Sequence, residues 1–291
     1  MTIRLFTTTL ALALQAAYPH REAEAIATLV VEYLLDIDAL QRMMDAQQPV
    51  PAHALAALPP LQARLLAHEP VQYVLGQAFF EDMTLEVTPA TLIPRPETEE
   101  LVRVIKMEQL GRAGLKVLDV GTGSGCLALA LATALPDAEV LAVDISAEAL
   151  AVARRNAARY APAVRFQQVD ILQELPADLA PGSLDILVSN PPYVRESERP
   201  LMRENVLAWE PATALFVPDE DPLLFYRRLA DIGLELLGSG GVLYLEINEA
   251  LGPETAALLQ ARAYTDVRVL PDMFGKPRVV RGTRLATANT L

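Results

Sequence analysis

The spacing of apolar positions changes along the chain, and the change divides it into three stretches. Over residues 1–72 apolar side chains recur at intervals of three and four, most clearly at Ala25, Leu29, Val30, Tyr33 and Leu34, which predicts amphipathic helices. Breaks at Tyr18-Pro19, at Gln48 to Pro51 and at Leu58 to Pro60 cut this stretch into four or five short helices, a helical bundle. The apolar run Leu10 to Ala17 after Arg4 imitates a secretory leader, but Gln15 interrupts it and helical spacing continues, so it reads as the first helix. Residues 73–95 alternate instead. Tyr73-Val74-Leu75-Gly76 and Phe79-Phe80 to Val87 predict a β-hairpin linker ending at Pro89.

From residue 96 to 285 the pattern is that of strands and helices in alternation. Pro96 or Thr98 opens a helix running to Leu110. Strands follow at 116–120, 140–143, 164–169, 184–188, 242–247, 265–270 and 278–282. Helices are expected at 126–135, at 147–158 with Ser146 as its cap, and at 222–237. Strand–helix alternation of this kind predicts an α/β domain with a mostly parallel sheet, here of seven strands. Residues 286–291 read as a loose tail.

Composition narrows the possible chemistry. With a formal net charge of -13 and a pI near 4.7, tight phosphate-driven nucleic-acid binding is not expected, whereas a basic protein partner suits the charge. Cys126 is the only cysteine, which excludes an internal disulfide and fits a reducing, cytoplasmic setting. His20, His53 and His68 lie in the first quarter, away from Cys126, and form no metal-ligand cluster. No apolar run approaches the ~20 residues of a membrane span, so a soluble protein is expected.

Two stretches carry chemistry. Gly121-Thr122-Gly123-Ser124-Gly125 joins a strand to a helix, and its glycines allow a tight turn and close approach of a ligand. Asp144 ends the next strand, where a carboxylate can accept both hydroxyls of a ribose. Dinucleotide dehydrogenases and S-adenosylmethionine methyltransferases share this pair, but pyrophosphate binders prefer G-x-G-x-x-G over the G-x-G-x-G found here. Asp119, just before the turn, sits where a methyltransferase can hold the amino acid end of its cofactor. Asp170 ends a further strand, placed for an adenine amino group or serving simply as a strand-ending aspartate. The second stretch is Ser189-Asn190-Pro191-Pro192-Tyr193. Two prolines end the preceding strand and leave an amide, a free carbonyl and an aromatic ring at its C-terminal end, able to grip a planar amino group. By itself Asn-Pro-Pro reads equally well as a turn.

The combination, with the second stretch about 65 residues after the first, is the layout of methyltransferases that act on planar amino groups. Over nearly its whole length the sequence resembles the HemK/PrmC family of protein-(glutamine-N5) methyltransferases. The resemblance rests on residues 70–76, Leu92-Ile93-Pro94-Arg95-Pro96-Glu97-Thr98-Glu99, residues 117–125, Ser189 to Tyr193, Trp209 to Leu215 and Pro271 to Arg278. It implies a class I, Rossmann-like S-adenosylmethionine methyltransferase domain behind a substrate-recognising helical domain. The implied reaction is methyl transfer to the glutamine of the Gly-Gly-Gln loop of class I translation release factors. Asn190, Pro191, Pro192 and Tyr193 would then be catalytic. Asp119, Gly121 to Gly125, Asp144, Ile145, Asp170, Ile171 and Asn190 would hold S-adenosylmethionine. Arg95, Pro96, Glu97 and Glu210 would join the Asn190–Tyr193 loop in binding substrate. The chain is expected to act as a cytoplasmic monomer. Ile171 stands where the family often has an aromatic, and Asn248 where it usually has glycine. Three other readings stay open at this point: a ribosomal-protein glutamine methyltransferase, a DNA adenine-N6 methyltransferase, and a non-catalytic binding protein.

Overall fold

The computed structural model describes residues 1–285, so the expected loose tail at 286–291 lies outside the described residues. Contacts divide the chain into one unit of Met1–Gln77 with Arg203–Trp209, and a second that runs from Ala78 to Met202 and resumes at Glu210. The boundaries read from sequence, at 72 and 95, fall on either side of the start of the second unit.

The first unit is helical: α1 (Ile3–Leu14), α2 (His20–Leu35), α3 (Ala39–Met44), α4 (Ala52–Leu66) and α5 (Val71–Leu75). Three expectations are corrected here. No break occurs at Leu58 to Pro60; α4 runs through Pro59 and Pro60, both of which face solvent, so water can serve the carbonyls that proline leaves without a donor. Ala54, Leu58, Leu61 and Leu65 meanwhile keep one apolar stripe packed on the bundle core, and this outweighs the proline penalty. Residues 73–75 are helical rather than part of a hairpin, and Gly76 ends that helix with φ 71°. The buried face of α2 is also rotated from the one expected: Ala23, Ile26, Ala27, Val30 and Val31 are buried, while Leu29 and Tyr33 are exposed.

In the second unit a hairpin, β1 (Gln77–Phe80) and β2 (Met83–Glu86), precedes α6 (Pro96–Glu108). Then come β3 (Lys116–Val120), α7 (Cys126–Ala134), β4 (Glu139–Asp144), α8 (Ala147–Tyr160), β5 (Arg165–Gln168), β6 (Leu184–Ser189) and the short β7 (Val194–Arg195). After α9 (Glu204–Trp209) of the first unit, the chain continues through β8 (Phe216–Val217), α10 (Leu224–Leu236), β9 (Leu237–Glu246), α11 (Gly252–Ala261), β10 (Tyr264–Pro271) and β11 (Pro277–Arg284). Helix α11 was not read from sequence; Pro253 in its first turn was the available signal.

The central sheet has seven strands in the order β10-β11-β9-β6-β3-β4-β5. Strands β9, β6, β3, β4 and β5 run parallel, and β11 is antiparallel to both neighbours. Alternation along the strands feeds two cores. Val117, Val140 and Ile186 pack with α6 and α7, while Leu118, Leu141, Leu187 and Leu243 pack with α10 and α11. The chain winds outward from β3 in both directions, which makes the C-terminal end of β3 the switch point where such sheets bind ligands.

The hairpin is tied to α8 by side chains that serve the free edge of β2. Tyr160 Oη accepts from Thr84 N (3.0 Å) and donates to Thr84 O (2.9 Å). Buried Asn156 accepts from Glu86 N (2.7 Å) and donates to both Glu86 O and Ser124 O (2.9 Å each). Asn156 thus joins the hairpin to the glycine turn. Asn156→Ala leaves those buried backbone groups unpaired and is expected to destabilise the protein by about 1–3 kcal/mol, measured as a lower denaturant midpoint at unchanged slope.

Candidate functional site

Register brings the sequence motifs to one edge. Val120 pairs with Val143 on one side and Ser189 on the other, and Ser189 pairs with Leu245, so the ends of β4, β3, β6 and β9 lie in line. Ser189 Oγ donates to Val120 O at 2.7 Å and fixes β6 against β3 just before Asn190.

Gly121, Gly123 and Gly125 all have positive φ (73°, 55° and 86°), a conformation that other residues rarely adopt. A Cβ at Gly121 or Gly123 would stand in open space, whereas one at Gly125 would meet Ala153 Cβ at 3.3 Å. Gly125 therefore lets α7 pack on α8, and the other two leave an open backbone cradle. Thr122 and Ser124 are buried within the turn.

Asp119 is fully buried between Ala142 and Val188 of the neighbouring strands. Its Oδ2 accepts from Thr122 Oγ1 at 2.6 Å, and its Oδ1 is buried with no partner among the described residues. Burial pushes its carboxyl up to about 7, with the Thr122 hydroxyl and the Ala128 amide opposing and the Asp144 charge adding to the rise. Asp144 is positioned by the backbone: Gly123 N donates to Oδ2 at 2.8 Å and Ser146 N to Oδ1 at 2.9 Å. Burial raises its carboxyl too, against these amides.

Of the remaining residues expected around a cofactor, Ile145 is 57% exposed, while Ile171 is buried among the core side chains beside Val169. Asp170 closes the turn after β5, accepting from Leu172 N (3.1 Å) and Gln173 Nε2 (2.6 Å).

At the end of β6, Asn190 Nδ2 donates to Thr98 Oγ1 at 3.1 Å. Thr98 Oγ1 donates to Glu246 Oε2 at 2.7 Å, and Tyr193 Oη donates to Glu246 Oε1 at 3.1 Å. Among the described residues nothing donates to Asn190 Oδ1 or to the Pro191 carbonyl, which leaves two adjacent acceptors unpaired. Burial and the Glu246 charge raise the Tyr193 hydroxyl well above its ordinary value, so it stays protonated. Asn248 has an extended backbone (φ -61°, ψ 129°) that glycine is not needed for, and its Nδ2 donates to Tyr193 O at 3.3 Å. Pro192 is half-buried in the same loop.

Glu210 is buried, its two oxygens taken by Arg95 Nη2 (2.5 Å) and Ile93 N (3.2 Å). It fixes the segment leading into α6 by neutralising Arg95. Pro96 is exposed and Glu97 half-buried at the start of that helix. Thr98 and Glu246 were not singled out as site residues from the sequence: Thr98 read as a helix-start residue, and Glu246 only as part of the strand at 242–247.

A sheet of this order, with a glycine turn after its central strand, an acidic residue ending the next and Asn-Pro-Pro-Tyr at the switch point, defines a class I methyltransferase domain. The "Methyltransferase from Pyrococcus furiosus" shares the fold, with a TM-score of 0.52 at 20% identity over 77% of this chain and 98% of that one. The methyltransferase small domain family matches residues 97–209, and the PrmC N-terminal domain family matches residues 8–76. A release factor glutamine methyltransferase of Bacteroides thetaiotaomicron is 47% identical over 93% of this chain and 96% of its own length. Its counterpart in Flavobacterium psychrophilum is 38% identical over 97% and 99%. The chain belongs to the release factor glutamine methyltransferase family.

The buried Asp119 carboxyl has a consequence for stability. Unfolded, it titrates near 3.9; folded, at about 7. Between these values the folded chain holds the extra proton, so this group lowers stability as pH rises through the interval. Asp119→Asn removes that dependence. In the ligand-free protein it is expected to raise the thermal midpoint at pH 8 and to leave it nearly unchanged at pH 4, the gain being a few kcal/mol at about 1.4 kcal/mol per unit.

Proposed function

We propose that this protein transfers a methyl group from S-adenosylmethionine to the side-chain amide nitrogen of the glutamine in the Gly-Gly-Gln loop of class I translation release factors. The observation that carries the reading is the pair of unpaired acceptors, Asn190 Oδ1 and Pro191 O, beside Tyr193 at the switch point. A primary amide has two N–H donors in one plane, and two adjacent acceptors match it.

The residues present fit the cofactor. Asp119 Oδ1 is a buried carboxylate oxygen with no partner among the described residues, which suits a cationic amino group. Gly121 and Gly123 leave space above the turn, Asp144 retains lone pairs for ribose hydroxyls, and exposed Ile145 offers an apolar face to adenine. The cofactor supplies a methyl group made electrophilic by a sulfonium. The chain's own residues do the rest. An amide nitrogen is a weak nucleophile because its lone pair is shared with the carbonyl. Asn190 and Pro191 hold its two hydrogens, orient the lone pair and stabilise the positive charge that develops on nitrogen. Tyr193, held by Glu246, packs on the amide plane. Orientation provides most of the rate; the methylated nitrogen then loses one proton to water, since no side chain among the described residues is placed as a dedicated base.

Pro96 and Glu97, at the exposed start of α6, are assigned to substrate contact, with Arg95 and Glu210 shaping the segment that presents them. The helical first unit carries no chemistry of its own and is assigned to substrate recognition. No helix among the described residues is long and apolar enough to cross a membrane. A release-factor substrate places the enzyme in the cytoplasm, and we take it to act as a monomer without stable nucleic-acid binding.

Incubation with methyl-labelled S-adenosylmethionine tests the reading against three acceptors: a release factor, its loop Gln→Ala variant and duplex DNA. Label is expected on the intact factor alone. Asn190→Ala is expected to lower transfer by at least about a hundredfold, the loss typical of a donor or acceptor that stabilises charge in the transition state, with the fold retained. Label on DNA would reassign the loop to adenine.

A further inference from the structure

Thr98 and Glu246 form a buried chain that ends on the Asn190 amide. Glu246 closes β9 and is 1% exposed, and Thr98 in α6 is 2% exposed. Both carboxylate oxygens accept hydrogens, Oε1 from Tyr193 Oη at 3.1 Å and Oε2 from Thr98 Oγ1 at 2.7 Å. Arg278, whose side chain is largely buried and paired with Asp272 (3.4 Å), favours the charged form of Glu246 against the effect of burial.

The direction of these bonds settles the rest. A carboxylate has no hydrogen to give, so Thr98 must donate its single hydrogen to Glu246. Towards Asn190 the hydroxyl then has only lone pairs to offer. A lone pair accepts, and only the NH2 end of the Asn190 amide can satisfy it, as the 3.1 Å contact from Nδ2 shows. The carbonyl end is thereby turned away from Thr98 and left unpaired. Were the amide flipped, its NH2 would meet the NH2 of a substrate amide, donor against donor.

Resting on the function proposed above, we propose that Glu246, acting through the Thr98 hydroxyl, sets which end of the Asn190 amide is presented to the substrate. Glu246 and Thr98 are positioning residues, neither touching the reacting atoms. The same carboxylate holds Tyr193, so one buried charge orients two of the four loop side chains.

The test compares Thr98→Val, Thr98→Ser and Glu246→Gln with the wild type. Thr98→Val keeps the shape and removes the hydroxyl. Thr98→Ser keeps the hydroxyl. Glu246→Gln replaces one acceptor with a donor. The valine and glutamine variants are expected to lose about tenfold or more in kcat, the equivalent of one buried hydrogen bond. KM for S-adenosylmethionine should stay within about twofold, since Asp119, the glycine turn and Asp144 are untouched. Thr98→Ser should recover most of kcat. A second readout needs no substrate. In the ligand-free protein one Asn190 side-chain amide proton should be protected from solvent exchange by NMR, in the wild type and in Thr98→Ser, and unprotected in Thr98→Val. Wild-type kcat in Thr98→Val and Glu246→Gln, or unchanged Asn190 protection in Thr98→Val, would overturn the inference. If the wild type itself methylates no release factor, the proposed function fails and the NMR comparison alone decides the orienting role. Should Thr98→Val not fold, Glu246→Gln decides it by the same two readouts.

Discussion

Everything at the site follows from a parallel sheet ending its strands on one edge in matched register. Val120, Val143, Ser189 and Leu245 lie in neighbouring positions on four strands. The next residues on each strand therefore meet, although more than a hundred positions separate the first from the last. Ser189 Oγ donating to Val120 O at 2.7 Å holds the two central strands at the point where the glycine turn and the Asn190 loop begin. A slip of one residue in β6 would move Asn190 and exchange the faces of the whole strand, burying the wrong side chains in both cores. The hydrophobic packing that stabilises the sheet is thus also what aligns the chemistry.

Against that apolar background the site concentrates buried carboxylates. Asp119, Asp144 and Glu246 are all raised by burial, and each is stabilised in its own way. Asp144 takes two backbone amides, Glu246 two hydroxyls and the field of Arg278, and Asp119 one hydroxyl and the influence of the Ala128 amide, with no partner for its Oδ1 among the described residues. The least satisfied of the three is the one at the glycine turn, the site where a cationic ligand group is most favoured. Glu210 is different in kind. Its charge is balanced within the protein by Arg95, and it acts on the entry to α6.

The strands of the central sheet, the glycine turn and the Asn190 loop were legible from sequence because each has a local cause: buried runs, glycines at positive φ, and prolines that end a ladder; the short β7 and β8 were not. The helices of the first unit were legible in kind, but α4 was cut at its prolines because exposure of that face cannot be read from a proline pair alone. The stripe on α2 was misplaced because two apolar stripes compete on that helix, and only packing against α1 chooses between them. Glu246 and Thr98 were invisible as site residues for a different reason. They are separated by 148 positions, and their role lies in the direction of hydrogen bonds that exists only once β9, α6 and β6 are assembled. The family resemblance supplied the reaction; the loop residues alone fit either an amide or an adenine amino group, and the acidic charge weighed against DNA.

The most direct measurement is tandem mass spectrometry of a release factor after incubation with the protein and S-adenosylmethionine. The account predicts one added methyl group, located on the side chain of the glutamine in the Gly-Gly-Gln loop. A methyl group on any other residue, or an unmodified factor in the presence of protein that binds the cofactor, would contradict it.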